Sequence, residues 1–224
     1  MKVIGLVGSP HGERGATGRL LQIVLNGAEN AGAQTELLAL KGKSVLPCNG
    51  CDACHKKGTC VQNDDFESIK QKIHEVDGIV LASPNYIFQV SAQLKAFLDR
   101  CCGIIHCLGF EGKYGASVVT SGGGDEPPIA EYMNHFLITT GVVPVGAVWA
   151  TMGNITGEGF PDDIRKSANE LGAKLVAAAE KKEMPADVEM KMKAFAERMK
   201  TLMQYRKTEW PYEYGYWQEH RGLK

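Results

Sequence analysis

The chain has 224 residues, with 25 Lys and Arg against 26 Asp and Glu, so its formal net charge at pH 7 is −1. This length suffices for one large domain with a buried core. No block of basic residues stands out, which makes nucleic acid a poor candidate partner. No apolar run reaches the roughly 20 residues that cross a bilayer. The N-terminal apolar run is interrupted by Gly and Pro at residues 8–10, which indicates a buried strand and not a signal peptide. We therefore expect a cytoplasmic protein with no membrane contact.

Strands and helices alternate along the first 180 residues. Five stretches are predicted to be strands: residues 2–8, 33–40, 77–84, 114–121 and 142–149. Residues 2–8 and 77–84 are buried apolar runs, which are typical of strands covered on both faces. Helical spacing follows the first strand from about Thr17 and then occupies residues 66–75, 91–105, 128–140 and 161–181. This alternation predicts an α/β fold, a doubly wound five-stranded parallel sheet with helices on both faces. The strand order does not follow from the spacing.

Residues 186–224 are predicted to be an extension of the domain formed by residues 1–185. A helix over about 186–204 leads into a tail with six large aromatic side chains: Tyr205, Trp210, Tyr212, Tyr214, Tyr216 and Trp217. These side chains are costly to leave exposed, so we expect them to pack against the parent domain or a neighbouring subunit. A wall on which a substrate stacks is the alternative.

Three loops follow strand ends that meet at one edge of a parallel sheet, where ligands of such sheets bind. The first is "GSPHGERGATGRLL", residues 8–21, with the hydroxyls of Ser9 and Thr17 and the amides of a helix N-terminus. These groups suit a phosphate, although an ordinary glycine-rich turn is the alternative. The loop is neither GxGxxG nor GxxxxGK[ST], so the dinucleotide fingerprint and the nucleoside triphosphate loop are both absent.

The second and third loops suit a flat ring. "SPNYIFQVSAQLKAFLDR", residues 83–100, presents an aromatic and backbone surface at a strand end. "TSGGGDEPP", residues 120–128, has three consecutive glycines, which allow backbone amides to approach a ring closely. A phosphate loop beside these two surfaces predicts a phosphorylated planar cofactor.

The three loops resemble the FMN-binding loops of the flavodoxin-like NAD(P)H-dependent FMN reductase superfamily. The resemblance implies FMN as cofactor and the strand order 2-1-3-4-5. It also implies cofactor-binding roles for the matching residues: Ser9, His11, Thr17, Gly18, Pro84, Asn85, Tyr86, Ile87, Phe88, Ser121, Gly122, Gly123 and Asp125. The first loop departs from the family's pattern, with His11 in place of an Arg and Ala16 in place of an Asn. Phosphate binding is therefore expected to depend on Ser9, Thr17, Gly18 and backbone amides. No side chain has a spacing that identifies a general acid or base.

Four of the seven cysteines lie in the loop after the second strand, residues 46–65: Cys48, Cys51, Cys54 and Cys60. In a reducing cytoplasm such clusters are ligands or redox groups more often than disulfides. Three thiolates at successive x2 steps can converge on one face of a cubane, and the fourth closes it, which favours a single [4Fe–4S] cluster. Zinc, redox thiols and cysteines without a function are the alternatives, although zinc sites usually pair two separated C-x2-C knuckles. The stretch also resembles the compact motif of the iron–sulfur flavoprotein family.

The remaining cysteines and histidines are predicted to have structural roles. We expect Cys101, Cys102 and Cys107 to be small packing residues, with a role near the flavin or at a subunit contact as the alternative. His106 and His135 are expected to be solvated or hydrogen-bonded. Asp64 and Asp65 are expected to cap the helix that follows them.

The resemblance also implies a function. FMN exchanges one or two electrons and a cluster exchanges one, so we expect electron transfer between a ferredoxin-like donor and an acceptor in a homodimer or homotetramer. One alternative is an NAD(P)H-dependent reductase of a quinone, a flavin or another small organic molecule. A zinc-stabilised binding module that only keeps the fold is the third.

Overall fold

The computed structural model describes residues 1–155 and 159–223. Its five strands are β1 Lys2–Val7, β2 Gln34–Ala39, β3 Gly78–Pro84, β4 Tyr114–Ser121 and β5 Val143–Thr151. All neighbouring strands are parallel, and their order is β2-β1-β3-β4-β5. The predicted fold class and strand order are both confirmed.

The helices of the described residues are α1 Ala16–Asn30, α2 Ala53–Lys57, α3 Phe66–His74, α4 Ala92–Arg100, α5 Cys102–Cys107, α6 Glu126–Thr139, α7 Asp162–Lys181, α8 Ala186–Arg206 and α9 Pro211–Arg221. The single helix predicted over residues 91–105 is wrong, because it divides at Cys101. There ψ is 14° and the amide bonds to Leu98 O three residues back, which is the tighter turn common at helix ends.

Apolar clusters cover both faces of the sheet, as predicted. On one face α1 and α7 pack against the strands through Leu21, Val24, Leu171 and Leu175. A Cβ on Gly172 would lie 2.0 Å from Val24 O, so these two helices cross in backbone contact. On the other face α3, α4 and α6 bury Phe66, Phe97 and Phe136.

The C-terminal extension packs against the domain, as expected. Trp217 is buried in a third cluster with residues of α8 and with Leu108 after α5, and its Nε1 donates to His106 O over 3.0 Å. Tyr205 and Tyr212 depart from the predicted burial, since they are 81% and 46% exposed. No helix in the described part of the chain is long and apolar enough to cross a membrane.

Candidate functional site

The loops that follow β1, β3 and β4 lie side by side at one edge of the sheet. β3 lies between the other two strands, with Pro84 beside Thr120 in the parallel register. Hydrogen bonds join the first loop to its neighbours. Thr17 Oγ1 and Thr120 Oγ1 are 2.6 Å apart, and Ser91 Oγ donates to Gly8 O over 2.6 Å. The structure therefore brings together the three loops that the sequence indicated.

The first loop has the form of an anion cradle. Ser9 and Thr17 are buried, and Ser9 Oγ accepts a hydrogen bond of 3.2 Å from the amide of His11. α1 begins at Ala16 without a side-chain cap, so the amides of its first turn face the loop, as in other anion sites. A Cβ on Gly18 would lie 2.5 Å from a carbonyl oxygen of the loop, which requires Gly here. The His11 side chain is exposed.

The second loop is a tight turn that holds apolar side chains outward. The amide of Tyr86 donates to Gln89 O over 2.8 Å, and the amide of Gln89 donates back over 3.2 Å. Ile87 and Phe88 have φ of 50° and 61°, which is unfavourable for side chains other than Gly and is typical of functional sites. They are 89% and 70% exposed. Asp125 in the third loop has the same left-handed backbone and is exposed.

Asn85 carries a buried acceptor without a partner. Its amide donates to Thr120 O over 2.7 Å and its Nδ2 donates to Gly124 O over 3.0 Å. Within the described residues, its Oδ1 accepts no hydrogen bond. An unpaired buried acceptor is unfavourable and calls for a donor from a ligand. The N–H of a flavin's pyrimidine ring is such a donor, so Asn85 fits the predicted cofactor.

The third loop has free space beside the backbone of its glycines, and hydrogen bonds to Glu126 hold the loop in place. A Cβ on Gly122 or Gly123 would meet no atom within 4 Å, which leaves space for a ring beside the backbone. Behind the loop, the buried carboxylate of Glu126 accepts hydrogen bonds from Ser121 Oγ and from Thr151 Oγ1. Burial raises the pKa of Glu126, but these two hydrogen bonds outweigh it and hold the pKa below its ordinary value. The loop is thus anchored by an ionised group.

The four motif cysteines lie between β2 and α3. Cys48 and Cys51 are exposed, whereas Cys54 and Cys60 are half-buried and line a cavity of about 330 Å³. In this described segment, no three of their sulfurs lie within 4.8 Å of one another. Thiolates on one tetrahedral zinc ion would be ~3.8 Å apart, whereas a four-iron cluster holds each thiolate on a separate iron. In this segment the four sulfurs therefore do not have the arrangement of a single zinc site.

Arg100 is a buried cation beside the fourth cysteine. Its Nη2 donates to Cys60 Sγ over 3.1 Å, and its guanidinium pairs with Asp64 and lies 4.4 Å from the centre of the Phe66 ring. Burial raises the pKa of Asp64, but the hydrogen bonds from Arg100 and from two backbone amides outweigh it and lower the pKa. The ionised Asp64 therefore holds the guanidinium of Arg100 in place against the Cys60 sulfur.

The sequence analysis did not identify Arg100, although the sequence contains an indication of its role. Arg100 follows Phe97 at helical spacing, on the apolar face of α4, where a charge needs a buried partner. The predicted capping role holds for Asp64, whose Oδ1 accepts from Phe66 N over 3.1 Å. It is wrong for Asp65, which makes no side-chain cap and instead accepts from Ser44 N over 2.7 Å.

A second group of ligand-type side chains lies next to the cysteine loop. His55 Nδ1 and His106 Nδ1 are 2.6 Å and 2.9 Å from the two oxygens of Glu213, which is 1% exposed. Cys102 Sγ is 3.6 Å from His106 Nε2. The two imidazole rings stack with centroids 4.8 Å apart, and Trp210 lies 4.5 Å and 5.0 Å from them.

The sequence predicted these residues only in part. His106 is hydrogen-bonded, as expected, and Cys101 and Cys107 are buried. Cys102 differs from the expected packing residue because it is half-buried and faces the two imidazoles. The sequence did not indicate this convergence, since the partners come from three separate helices.

The parallel sheet and its three loops define a flavodoxin-like flavin-binding protein, and the comparisons agree. The family model of NADPH-dependent FMN reductases matches residues 1–157. An iron–sulfur flavoprotein from Archaeoglobus fulgidus is 39% identical over 81% of this chain and 82% of its own length. One from Methanocaldococcus jannaschii is 37% identical over 78% of this chain and 95% of its own length. The chain therefore belongs to the NADPH-dependent FMN reductase family and, within it, to the iron–sulfur flavoproteins.

A solved structure agrees at the level of the fold alone. RosB with bound 8-demethyl-8-formylriboflavin-5'-phosphate superimposes with a TM-score of 0.66 at 17% identity, over 88% of this chain and 86% of RosB. The chain is an FMN-dependent oxidoreductase, and FMN and an iron–sulfur cluster are the cofactors of its kind.

Proposed function

We propose that this chain transfers electrons between a one-electron donor of the ferredoxin type and an acceptor, through one [4Fe–4S] cluster and FMN. The cluster ligands are Cys48, Cys51, Cys54 and Cys60. When bound, FMN exchanges one or two electrons and the cluster exchanges one, so the pair converts between two-electron and one-electron chemistry.

The observation that carries this proposal is that one short helix joins the two sites. Ser91, the N-cap of α4, bonds to Gly8 in the first loop, and Arg100, the last residue of α4, bonds to Cys60. Nine residues of helix rise ~14 Å. The two cofactor sites of one chain therefore belong to opposite ends of a single rigid element.

The residues of the FMN site act by binding and orientation. The first-turn amides of α1 with Ser9 and Thr17 bind the phosphate, and Asn85 Oδ1 accepts from the pyrimidine ring. The loop amides of Gly122 and Gly123 would stabilise negative charge on the ring. At the other end of α4, Arg100 offsets the negative charge of the Cys60 thiolate.

The exposed rim of the second loop supports a homodimer or homotetramer. Tyr86, Ile87 and Phe88 are 45%, 89% and 70% exposed, and such apolar groups mark contact surfaces more often than free ones. A second copy seated there would shield the flavin from water. We also propose a cytoplasmic location, supported by seven free thiols, all in the described residues.

The test is anaerobic purification followed by donor kinetics. We expect about four irons, four sulfides and one FMN per chain. Reduced ferredoxin should bleach the flavin faster than NAD(P)H does. Cys54→Ala should lose the cluster, keep FMN and slow the reaction with ferredoxin, whereas Cys101→Ala, a buried cysteine outside the motif, should change none of these. Equal ferredoxin rates in Cys54→Ala and the wild type would contradict the proposal.

A direct NAD(P)H-dependent reductase of a small organic acceptor is the second candidate. The match to NADPH-dependent FMN reductases over residues 1–157 favours it. Its result would be rapid anaerobic bleaching by NADPH in the wild type and at an unchanged rate in Cys54→Ala, since this route does not need the cluster.

A further inference from the structure

We propose that His55, Cys102 and His106 form a second metal site, which takes a single divalent ion of the zinc class. The three ligand atoms lie within 4.8 Å of one another, unlike those of the four motif cysteines. One thiolate and two imidazoles are a ligand set that zinc favours. The site lies beside the proposed cluster, because His55 directly follows Cys54 in the chain, and it uses none of the four proposed cluster ligands.

One of the ligand separations matches that of a tetrahedral ion. With Zn–N of about 2.0 Å and Zn–S of about 2.3 Å, a ligating nitrogen and sulfur lie roughly 3.6 Å apart. The observed separation of His106 Nε2 and Cys102 Sγ is 3.6 Å, which is the separation of two ligands of one ion and is also within the range of an N···S hydrogen bond. α5 carries both residues one helical turn apart, so they project from the same face.

Glu213 prepares both imidazoles to bind a cation. Each of its oxygens bonds to one Nδ1, at 2.6 Å for His55 and 2.9 Å for His106. A proton held at Nδ1 leaves Nε2 as the ligating atom, which is the carboxylate–histidine–metal arrangement of zinc proteins. Trp210 covers both rings and limits their rotation. A carboxylate that is 1% exposed would be strongly unfavourable without such partners.

Cys102 is the cysteine of α5 that meets the two imidazoles. It is half-buried and its sulfur belongs to the three-atom group, whereas Cys107 is buried and lies outside that group. A metal ion binds the thiolate and the neutral imidazole, so an ion here would displace the protons that these groups share without it.

Three protein ligands leave one position of a tetrahedral ion open. Asp52, half-exposed, has a carboxylate oxygen 3.8 Å from His55 Nε2, so either Asp52 or a water molecule would complete the set. The ligands come from α2 and α5, and their orienting carboxylate comes from α9. An ion here would therefore fasten the cysteine loop and the C-terminal extension to the domain.

The first test measures metal content in the holoprotein. Anaerobically purified protein is treated with a mild chelator, incubated with one equivalent of Zn²⁺ and desalted, and its zinc and iron are counted. We expect one zinc per chain in the wild type and in Cys101→Ala, and less than a tenth of that in Cys102→Ala and His106→Ala, with iron unchanged at about four. Glu213→Gln should weaken zinc binding roughly 10- to 100-fold. No zinc in the wild type, or equal zinc in Cys102→Ala, would overturn the proposal.

The second test needs no substitution, so misfolding cannot confuse it. Zn²⁺ should slow alkylation of Cys102 at least tenfold in the wild type and leave the rate at Cys107 unchanged, as measured by mass spectrometry of the peptides. An unchanged rate at Cys102 would mean that the four side chains form a hydrogen-bonded group without an ion. Iron and FMN contents are read from the same samples, so the outcome does not depend on the proposed electron transfer.

Discussion

Gly58, between the third and fourth motif cysteines, offers a sharp test of how the extension holds the cysteine loop. Its φ is +76°, and a Cβ built on it would lie 2.3 Å from the Tyr212 ring of α9. Gly58→Ala therefore combines an unfavourable backbone with a steric overlap. Gly50 in the same loop has φ of +64° and nothing within 4 Å of its Cβ. Gly50→Ala is thus the matched control that has the backbone cost alone.

The expected difference between the two variants follows from these contacts. A left-handed backbone costs Ala ~1–2 kcal/mol at either position, and overpacking adds ~1–3 kcal/mol. Tyr212 is 46% exposed, so its ring can move toward solvent, which keeps the added cost near ~1–2 kcal/mol. That energy corresponds to about a 5- to 30-fold change in an equilibrium constant. The equilibrium constant for local opening of α9 should increase by this factor in Gly58→Ala and should not change in Gly50→Ala.

Hydrogen exchange of the holoprotein measures this opening. We expect the amides of α9 to lose protection 5- to 30-fold in Gly58→Ala and to keep it in Gly50→Ala. In a Tyr212→Ala background, adding Gly58→Ala should change nothing further, because the overlap is gone. Equal protection of α9 in the two glycine variants would refute the packing of Tyr212 on Gly58.

Three further predictions concern the cofactor sites and the fold. Asn85→Ala should weaken FMN binding to the apoprotein about 5- to 150-fold, the loss of a ~1–3 kcal/mol hydrogen bond, and fluorescence titration checks this; unchanged affinity would contradict the fit. Arg100→Lys keeps the charge but loses the N–H···S bond to Cys60, so the cluster's midpoint potential in an EPR-monitored titration should fall by ~40 mV, and no shift would contradict that role. Burial and two nearby lysines lower the pKa of His74, so the folded state binds this proton less readily than the unfolded chain. Its contribution to stability is complete above the unfolded pKa of about 6.5 and is lost as the pH falls through the folded pKa. The melting temperature should therefore fall less steeply from pH 7 to pH 5 in His74→Gln than in the wild type, and equal slopes would contradict this.

The sheet and its loops were predictable because their signals are local. The central strands β1 and β3 are largely apolar runs, and the loops that form the site follow directly after β1, β3 and β4 in the sequence. The break at Cys101 was not predictable, because apolar residues continue at helical spacing through it. Periodicity reports which face is buried and does not report where the backbone leaves the helix.

Contacts between residues far apart in the sequence were harder to predict. Glu213 meets His55 and His106 across 158 and 107 residues, and no spacing rule joins such pairs. One indication was available: Glu213 is a lone acidic residue among the aromatic side chains of "WPYEYGYW". A charge in a segment expected to be buried requires a partner of opposite charge or a hydrogen-bond donor.

The C-terminal extension contributes to the structure of the cysteine loop at residues 46–65. α2 has five residues, far fewer than the roughly 12–15 that a helix needs to persist alone in water, so its form depends on contacts from outside. These contacts come from α9, where Tyr212 packs on Gly58 and Glu213 bonds to His55. Arg100 holds the other end of the loop at Cys60. Because two of the four motif cysteines lie within α2 or just after it, the position of α9 determines where their sulfurs can converge.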